Sequence, residues 1–432
     1  MHSSPAHRAI DAVWRIESAR LIAALARLVR DVGVAEELAQ DALLAALEQW
    51  PQSGIPDNPG AWLMTAAKHR AIDYFRRDKM LERKHQELGY ELELQQDTSD
   101  AELAARIDDE LDDDIGDDLL RLIFTACHPV LSTEARVALT LRLLGGLSTD
   151  EIARAFLVPE ATVAQRIVRA KRTLAEARVP FEVPRAAELA ARLSSVLEVI
   201  YLIFNEGYSA TAGDDWMRPA LCEEALRQAR ILAGLAPREP EVHGLVALLE
   251  IQSSRTAARI GPAGEPVLLF EQDRAQWDQL LIRRGLAALQ RAEQLTGTLG
   301  PFALQAAIAA CHARARTPQD TDWKRIVALY DALSQLMPSP VVELNRAVAL
   351  SMAFGPAAGL ELVDTLLNEP AMASYHLLPS VRGDFLLKLG RHQEARAEFE
   401  RAAALTRNTR ERTLLLERAA GCGKAPTLPR VH

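Results

Sequence analysis

A chain of 432 residues is too long to close around one hydrophobic core, so two to four domains are expected. Aromatic residues make up only 5% against 49% apolar, and Ala, Leu, Arg and Glu are prominent, which points to an all-α protein. The four cysteines, Cys127, Cys222, Cys311 and Cys422, have no C-x-x-C spacing, which excludes a disulfide framework and the common zinc motifs. No cofactor or metal is expected. The most apolar stretch, Val196 to Phe204, contains Glu198 and is too short to span a bilayer, so a soluble cytoplasmic protein without a membrane partner is expected. The net charge of −9 does not exclude nucleic acid, because the acid is localised: Asp108 to Asp118 alone holds seven Asp and one Glu. It is the local patch that meets phosphate, not the average.

Residues 8–90 read as a first helical domain. One amphipathic helix runs through Ala12, Ile16, Leu21, Leu25 and Leu28, ending near Gly33. A second begins at Ala35-Glu36-Glu37-Leu38-Ala39-Gln40-Asp41 and continues to Trp50. The loop Ser53 to Gly60 separates it from a third, Ala61 to Arg77, which starts with Trp62 and becomes basic through Lys68, His69, Arg70, Arg76 and Arg77. An aromatic beside a loop can stack on an unpaired base, and a basic helix can follow the exposed strand. Trp62 alone reads equally as a core aromatic, and the cations alone as a solvated face.

Residues 91–118 are acidic and poor in apolar side chains, so a mobile linker is expected there. It reads as a solubilising spacer or, as the family resemblance given below implies, as a mimic of nucleic acid in a basic channel.

Residues 119–178 read as a second helical domain. Leu119 to Cys127 and Ser132 to Leu144 predict two supporting helices, and Cys127-His128-Pro129 reads as a helix end with no metal partner at useful spacing. After Gly145-Gly146, Ser148 and Glu151 have the spacing of a capping box and start a short helix with Ile152, Ala153 and Phe156 on one face. Pro159 opens the next helix. There Val163, Ile167, Ala170 and Leu174 form an inward stripe, with Thr162, Gln165, Arg166 and Arg169 placed opposite. Arg166, Arg169, Lys171 and Arg172 crowd together with no balancing acid in the turn. Two short helices, a tight turn and an outward polar face predict a DNA-binding helix-turn-helix.

Residues 185–420 predict a long helix, Arg185 to Tyr208, and then recurring helical pairs. The last of these, Gly383 to Leu405, resembles a tetratricopeptide repeat, with Gly390 at the turn, small Ala395 and large Phe399. Asn205-Glu206, Asp214-Asp215, His243, Gln272-Asp273-Arg274, His312 and Asn345-Arg346 are polar, but no nucleophile motif or phosphate loop joins them. No catalytic residue is assigned, and an enzyme is not expected.

In order, these pieces resemble the extracytoplasmic-function class of sigma-70 family sigma factors, in the subgroup with a long C-terminal tetratricopeptide-like extension. Glu36, Glu37, Leu38, Gln40 and Asp41 resemble that family's polymerase-binding helix. Ala61-Trp62-Leu63 with Ala71-Ile72-Asp73-Tyr74-Phe75-Arg76-Arg77 resembles its −10-reading helix, and the helix-turn-helix falls where its −35-reading domain stands. The resemblance implies core RNA polymerase and promoter DNA as partners and promoter-directed transcription initiation as the function. It also implies that Trp62, Lys68, His69, Arg70, Arg76 and Arg77 act at −10, and Thr162, Gln165, Arg166, Arg169, Lys171 and Arg172 at −35. His69 stands where the family usually has Asn, so the preferred flipped base is expected to differ. The alternative is a one-component helix-turn-helix regulator whose C-terminal domain senses a ligand or protein. The extension, with a possible protein or peptide partner, is expected to pack against the reading domains. It modulates them either as a lock or as an added grip, and cutting after Pro184 is expected to lower transcription.

Overall fold

The computed structural model describes residues 5–87, 115–156, 158–184, 186–209, 212–213, 217–262 and 265–422. Among them are eighteen α-helices and one pair of two-residue strands, divided between two compact units, Met1–Val199 and Ile200–His432.

In the first unit α1 (Pro5–Val29), α2 (Val32–Ser53) and α3 (Pro59–Glu87) pack on one another. Arg30 adopts φ +55° to break α1 from α2, and Asp31 then caps α2 by accepting from the Gly33 and Val34 amides at 2.7 and 3.0 Å. Gly54 ends α2 at φ +86°. Asn58 accepts from the Ala61 amide at 3.1 Å and starts α3 two residues earlier than the apolar pattern suggests.

The second half of this unit is α4 (Ile115–Ala126), α5 (Thr133–Leu143), α6 (Thr149–Phe156) and α7 (Glu160–Glu176). Residues 88–114 lie outside the described ones, and so does most of the acidic stretch expected to be a linker. Its last residues are not linker: α4 begins at Ile115, and Asp118 is only 1% exposed. Its carboxylate pairs with Arg121 at 2.6 Å and with Arg27 of α1 at 3.3 Å. The final acid of the run therefore ties α4 to α1, which pack together.

The helix α8 (Ala186–Tyr208) crosses from the first unit into the second. Its early part belongs with the helix-turn-helix domain. Ser195 donates to the Cys127 carbonyl at 2.7 Å, Arg192 donates to the Phe124 carbonyl at 2.9 Å, and Arg136 of α5 reaches Ser195 at 2.5 Å and Glu198 at 3.3 Å. Burial pushes the Cys127 thiol up to about 11, so it is a packed, protonated side chain.

The second unit is built of neighbouring antiparallel-style pairs: α9 (Pro219–Leu235), α10 (Pro240–Ser253), α11 (Gln279–Leu295), α12 (Pro301–Arg314), α13 (Trp323–Leu336), α14 (Pro340–Phe354), α15 (Pro356–Thr365), α16 (Leu377–Lys388), α17 (His392–Leu405) and α18 (Thr409–Gly421). These helices pack mainly on those next to them in sequence, except α12, which packs mainly on α10. The repeat-like hairpin α16–α17 forms as its sequence suggests. Gly390 turns the chain at φ +76°, and Phe399 and Ala395 are fully buried. A Cβ on Gly383 would sit 3.0 Å from the Phe399 ring, so the small residue is what admits the large one. Two elements escape the periodic pattern: α18, and the parallel pairing of Ala212–Gly213 with Arg407–Asn408.

Candidate nucleic-acid interface

The helix-turn-helix is held by local chemistry. The Ser148 hydroxyl accepts from the Glu151 amide at 3.1 Å while the Glu151 carboxylate accepts from the Ser148 amide at 2.8 Å, closing the expected capping box. Pro159 stands at the N-cap of α7 rather than inside it. Val163, Ile167, Ala170 and Leu174 are all buried, as the stripe requires.

The outward face is rotated from the one expected. Ala161, Gln165, Val168 and Arg172 repeat at the same spacing as the buried stripe but two residues behind it, which is about 200° around a helix. They form the centre line of the exposed face, and Val168 is 64% exposed there. Thr162 and Arg169 are exposed beside this line. Arg166 lies at the flank and is half-buried. It sits near the first turn of α5, where Glu134 is held below the usual carboxylate range by its own backbone N–H, by Ser132 and, to a smaller degree, by Arg166. A helical wheel centred on the charges misplaces the face because long side chains count the same wherever they point.

The cations are also not without acids. Arg172 pairs with Glu176, one turn on, at 2.6 Å. Lys171 is half-buried and its ammonium pairs with Glu36 of α2. Neither acid lies in the turn that holds the four cations: Glu176 is one turn further along α7 and Glu36 is on α2.

In the first domain the structure brings Trp62 against Trp50, edge to face with centroids 5.3 Å apart. Trp50 is buried and Trp62 half-buried, so Trp62 is both a packing residue and an available ring. His69, Arg70, Arg76 and Arg77 are exposed on α3, and Lys68 is half-buried. Asp73 holds the last pair, with its carboxylate 3.5 Å from Arg76 and its carbonyl accepting from Arg77 at 3.3 Å. Side chains of α3 beyond Arg77 lie outside the described ones.

The residues assigned to polymerase binding divide. Glu37 and Asp41 are exposed, in line with Leu44 and Glu48, and Gln40 is half-buried. Leu38 is buried in the core of the unit, and Glu36 is only 2% exposed. Glu36 accepts from Gln40 and from the Arg142 guanidinium, both at 2.5 Å, as well as pairing with Lys171. Arg142 in turn donates to the Leu147 carbonyl at 3.1 Å, within the turn that precedes α6.

The scattered polar residues of the extension are explained by packing. Glu206 pairs with Arg218, Arg346 with Asp331 and Glu343 at 2.7 and 2.6 Å, and Arg274 donates to the His312 and Ala315 carbonyls at 2.6 Å. His243 meets the Pro237 carbonyl at 3.0 Å. His312 is pushed down to about 4 by burial and by Arg255 and Arg274, and is therefore neutral. Asp214 and Asp215 lie outside the described residues. Among the described residues no group of His, Cys, Asp or Glu is arranged to hold a metal ion, and no helix is long and apolar enough to cross a membrane.

Residues 15–80 match sigma-70 region 2, residues 121–174 match sigma-70 region 4, and residues 192–293 match a family of unknown function, DUF6596. The uncharacterized protein R00370 of Rhizobium meliloti (strain 1021) is 45% identical over 388 residues, covering 90% of each chain. Two proteins named "Probable ECF RNA polymerase sigma factor SigI", from Mycobacterium tuberculosis strains CDC 1551 / Oshkosh and ATCC 25618 / H37Rv, are 27% identical over 180 residues. Those matches cover 42% of this chain and 59% of theirs. With a region 2 whose basic helix carries Trp62, a region 4 built as a helix-turn-helix and further helices beyond both, the chain belongs to the extracytoplasmic-function sigma factors of the sigma-70 family, in a form that carries a C-terminal extension.

Proposed function

We propose that the chain loads onto core RNA polymerase through the exposed side of α2 and directs it to promoters read by α7 at −35 and by α3 at −10. The family's partners are core polymerase and promoter DNA, and the family acts without catalysing a reaction of its own. The observation that supports the −35 assignment is the exposed line Ala161, Gln165, Val168 and Arg172, opposite a fully buried stripe. Gln165 has the donor–acceptor pair that fits adenine in the major groove, Arg172 and Arg169 fit guanine or phosphate, and Thr162 stands in the first turn, where side chains reach base edges. Arg166, on the flank, is suited to backbone phosphate, and Lys171 joins it once released from Glu36.

At −10, Trp62 offers a ring to an unpaired base, His69 and Arg70 supply hydrogen bonds, and Lys68, Arg76 and Arg77 follow the strand. On α2, Glu37, Gln40 and Asp41 are the polar groups turned outward, with Leu38 supporting them from inside. The extension modulates this activity. Its first helix is docked on the region 4 domain through Arg136, Arg192 and Ser195, so it holds the −35 reader in shape. A one-component regulator is not favoured, since it gives α2 and α3 no role.

Gel filtration of the purified chain with core polymerase, followed by run-off transcription on promoters selected from genomic DNA, tests the proposal. Co-elution and a discrete start site are expected. A chain that elutes apart from core polymerase and still binds duplex DNA as a dimer would return the regulator reading.

A further inference from the structure

Helices α10 and α11 pack directly on each other, yet residues 254–278 leave the helical stack between them. The Asp278 amide donates to the Ser254 carbonyl at 2.9 Å, so the excursion departs and returns at one point. A turn of a few residues would join the two helices, and a long irregular loop packed by its own side chains is commonly a binding element. This one carries Arg255, Arg259 and Arg274. Arg255 and Arg259 are buried, at 8% and 7% exposure, and Arg274 is half-buried. The first two meet Tyr208 at the end of α8, with guanidinium carbons 5.9 and 3.4 Å from its ring centroid. Arg255 and Arg274 both lie over the buried Trp277 ring, at 5.7 and 4.8 Å. Trp277 is itself fixed by packing with Ala258 and Ile282.

Three buried donors around the Trp277 ring go unpaired: the Arg255 Nε, the Arg274 Nε and the indole N–H of Trp277. Arg274 spends its Nη1 on the His312 and Ala315 carbonyls. Among the described residues no carboxylate pairs with Arg255. Asp273 and Asp278, acids of the same excursion, are occupied in capping backbone amides. The positive potential shows in the neighbours. Burial and then Arg255 push Arg274 down, and burial with Arg255 and Arg274 holds His312 at about 4. A buried guanidinium with no counter-charge is costly, and a native fold that keeps one calls for an explanation beyond packing.

We propose that this excursion is an anion site of the extension, taking a doubly charged phosphate group, either as the free ion or as the ester of a small molecule. Tyr208, the three arginines and Trp277 all fall within residues 192–293, so the site gives the stretch matched to the family of unknown function a role beyond promoter reading. One phosphate offers several acceptor oxygens and two charges, enough to accept from separate donors and to balance Arg255 and Arg274 together. A monocarboxylate would satisfy one fork and leave the second cation unbalanced. Stacking on Tyr208 and Trp277 keeps the guanidinium planes ordered before the anion arrives, which lowers the cost of binding it.

Isothermal titration of the full-length chain, dialysed free of phosphate, against inorganic phosphate, phenyl phosphate and succinate tests the site. One saturable site for inorganic phosphate is expected, with a Kd of about 1 mM or tighter, inside the ceiling for so small a ligand. Phenyl phosphate that binds about tenfold tighter assigns the site to an ester whose ring lies on the aromatic side chains. Equal or weaker binding of phenyl phosphate assigns it to the free ion. Succinate carries the same charge on two separated carboxylates and is expected to bind at least about tenfold more weakly. Equal binding of succinate overturns the phosphate assignment. Arg255→Gln and Arg274→Gln, each checked for folding by circular dichroism, are expected to weaken phosphate by about tenfold to 100-fold. Arg274 is only half-buried, so its variant carries the test even if Arg255→Gln misfolds. No saturable binding by the wild type, or undiminished affinity in folded Arg274→Gln, overturns the site.

Discussion

The two reading helices, α3 and α7, carry similar basic composition and are built for different tasks. In α7 the inward stripe is strict and fully buried, and the outward line faces solvent in a fixed orientation. Under the proposed function that is a surface suited to duplex DNA, which presents base edges without being opened. In α3 the aromatic ring is half-buried against Trp50, and Asp73 engages Arg76 and Arg77. Under the proposed function this helix meets its ligand only after strands separate, and its ring would exchange the Trp50 contact for a base. On the proposed function, similar charge patterns would give one rigid reader and one that gains its contacts during melting.

The comparison is broken most severely by removing what supports α7. Ending the chain after Pro184 deletes the part of α8 that carries buried Leu193, Val196 and Leu197 and leaves Arg136 without Ser195 and Glu198. Each large side chain contributes about 1.5–3 kcal/mol of burial, so a loss of several kcal/mol is expected. Urea denaturation of this truncation against one ending after Ser209 checks it. If the two unfold at the same urea concentration, α8 does not support region 4, and a transcription defect in the shorter chain would have to be read as loss of grip on a partner.

Next in size is the base-reading line. Gln165→Ala is expected to cost about 1–3 kcal/mol at its preferred base, with loss of discrimination there. Arg166→Ala, on the flank, is expected to weaken all −35 sequences alike and to lower the salt dependence by about one phosphate contact. Competition binding of holoenzyme to −35 variants at two salt concentrations separates the two. A sequence-specific loss from Arg166→Ala would restore the charge-centred face that the sequence alone suggests.

Trp62→Ala tests the other reader. It forfeits stacking worth roughly 1–3 kcal/mol per base, offset in part because the wild-type ring must first leave Trp50, a contact of about 0.5–1.5 kcal/mol. Permanganate reactivity of promoter thymines should fall, while binding to closed duplex stays near wild type. Equal opening by both proteins would make Trp62 a packing residue only.

The smallest effect concerns Val168. Its exposed isopropyl group at the centre of the reading face suits a thymine methyl, and Val168→Ser is expected to cost under about 1 kcal/mol at one base pair. Replacing thymine by deoxyuridine in a selected −35 site should weaken the wild type but not the variant. An equal loss in both would remove Val168 from base reading.

Much of the fold was legible because it is written in neighbours. Ser148 and Glu151, Pro159, Gly390 and the Val163 to Leu174 stripe act over one to three turns, and each formed as read. The acidic stretch is where composition misled at its edge. Seven Asp in a run suggest a solvated chain, yet Asp118 is buried because Arg27 and Arg121 converge on it, one from another helix. The −35 face was legible as a helix but not in its rotation, since that depends on which charged side chains find partners.

By itself the sequence determined that the chain is helical, where most of its helices start and stop, and that a helix-turn-helix follows a basic helix. Those properties follow from backbone hydrogen bonding and side-chain period, which reach only a few residues. The tertiary structure alone decided that Glu36 would be buried rather than offered to a partner, because Arg142 lies 106 residues further along the chain. It alone assigned the first half of α8 to region 4 and paired Ala212–Gly213 with Arg407–Asn408. A charge on an amphipathic helix is free or committed according to what packs beside it, and packing between distant segments follows from the shape of the whole fold rather than from any one stretch of sequence.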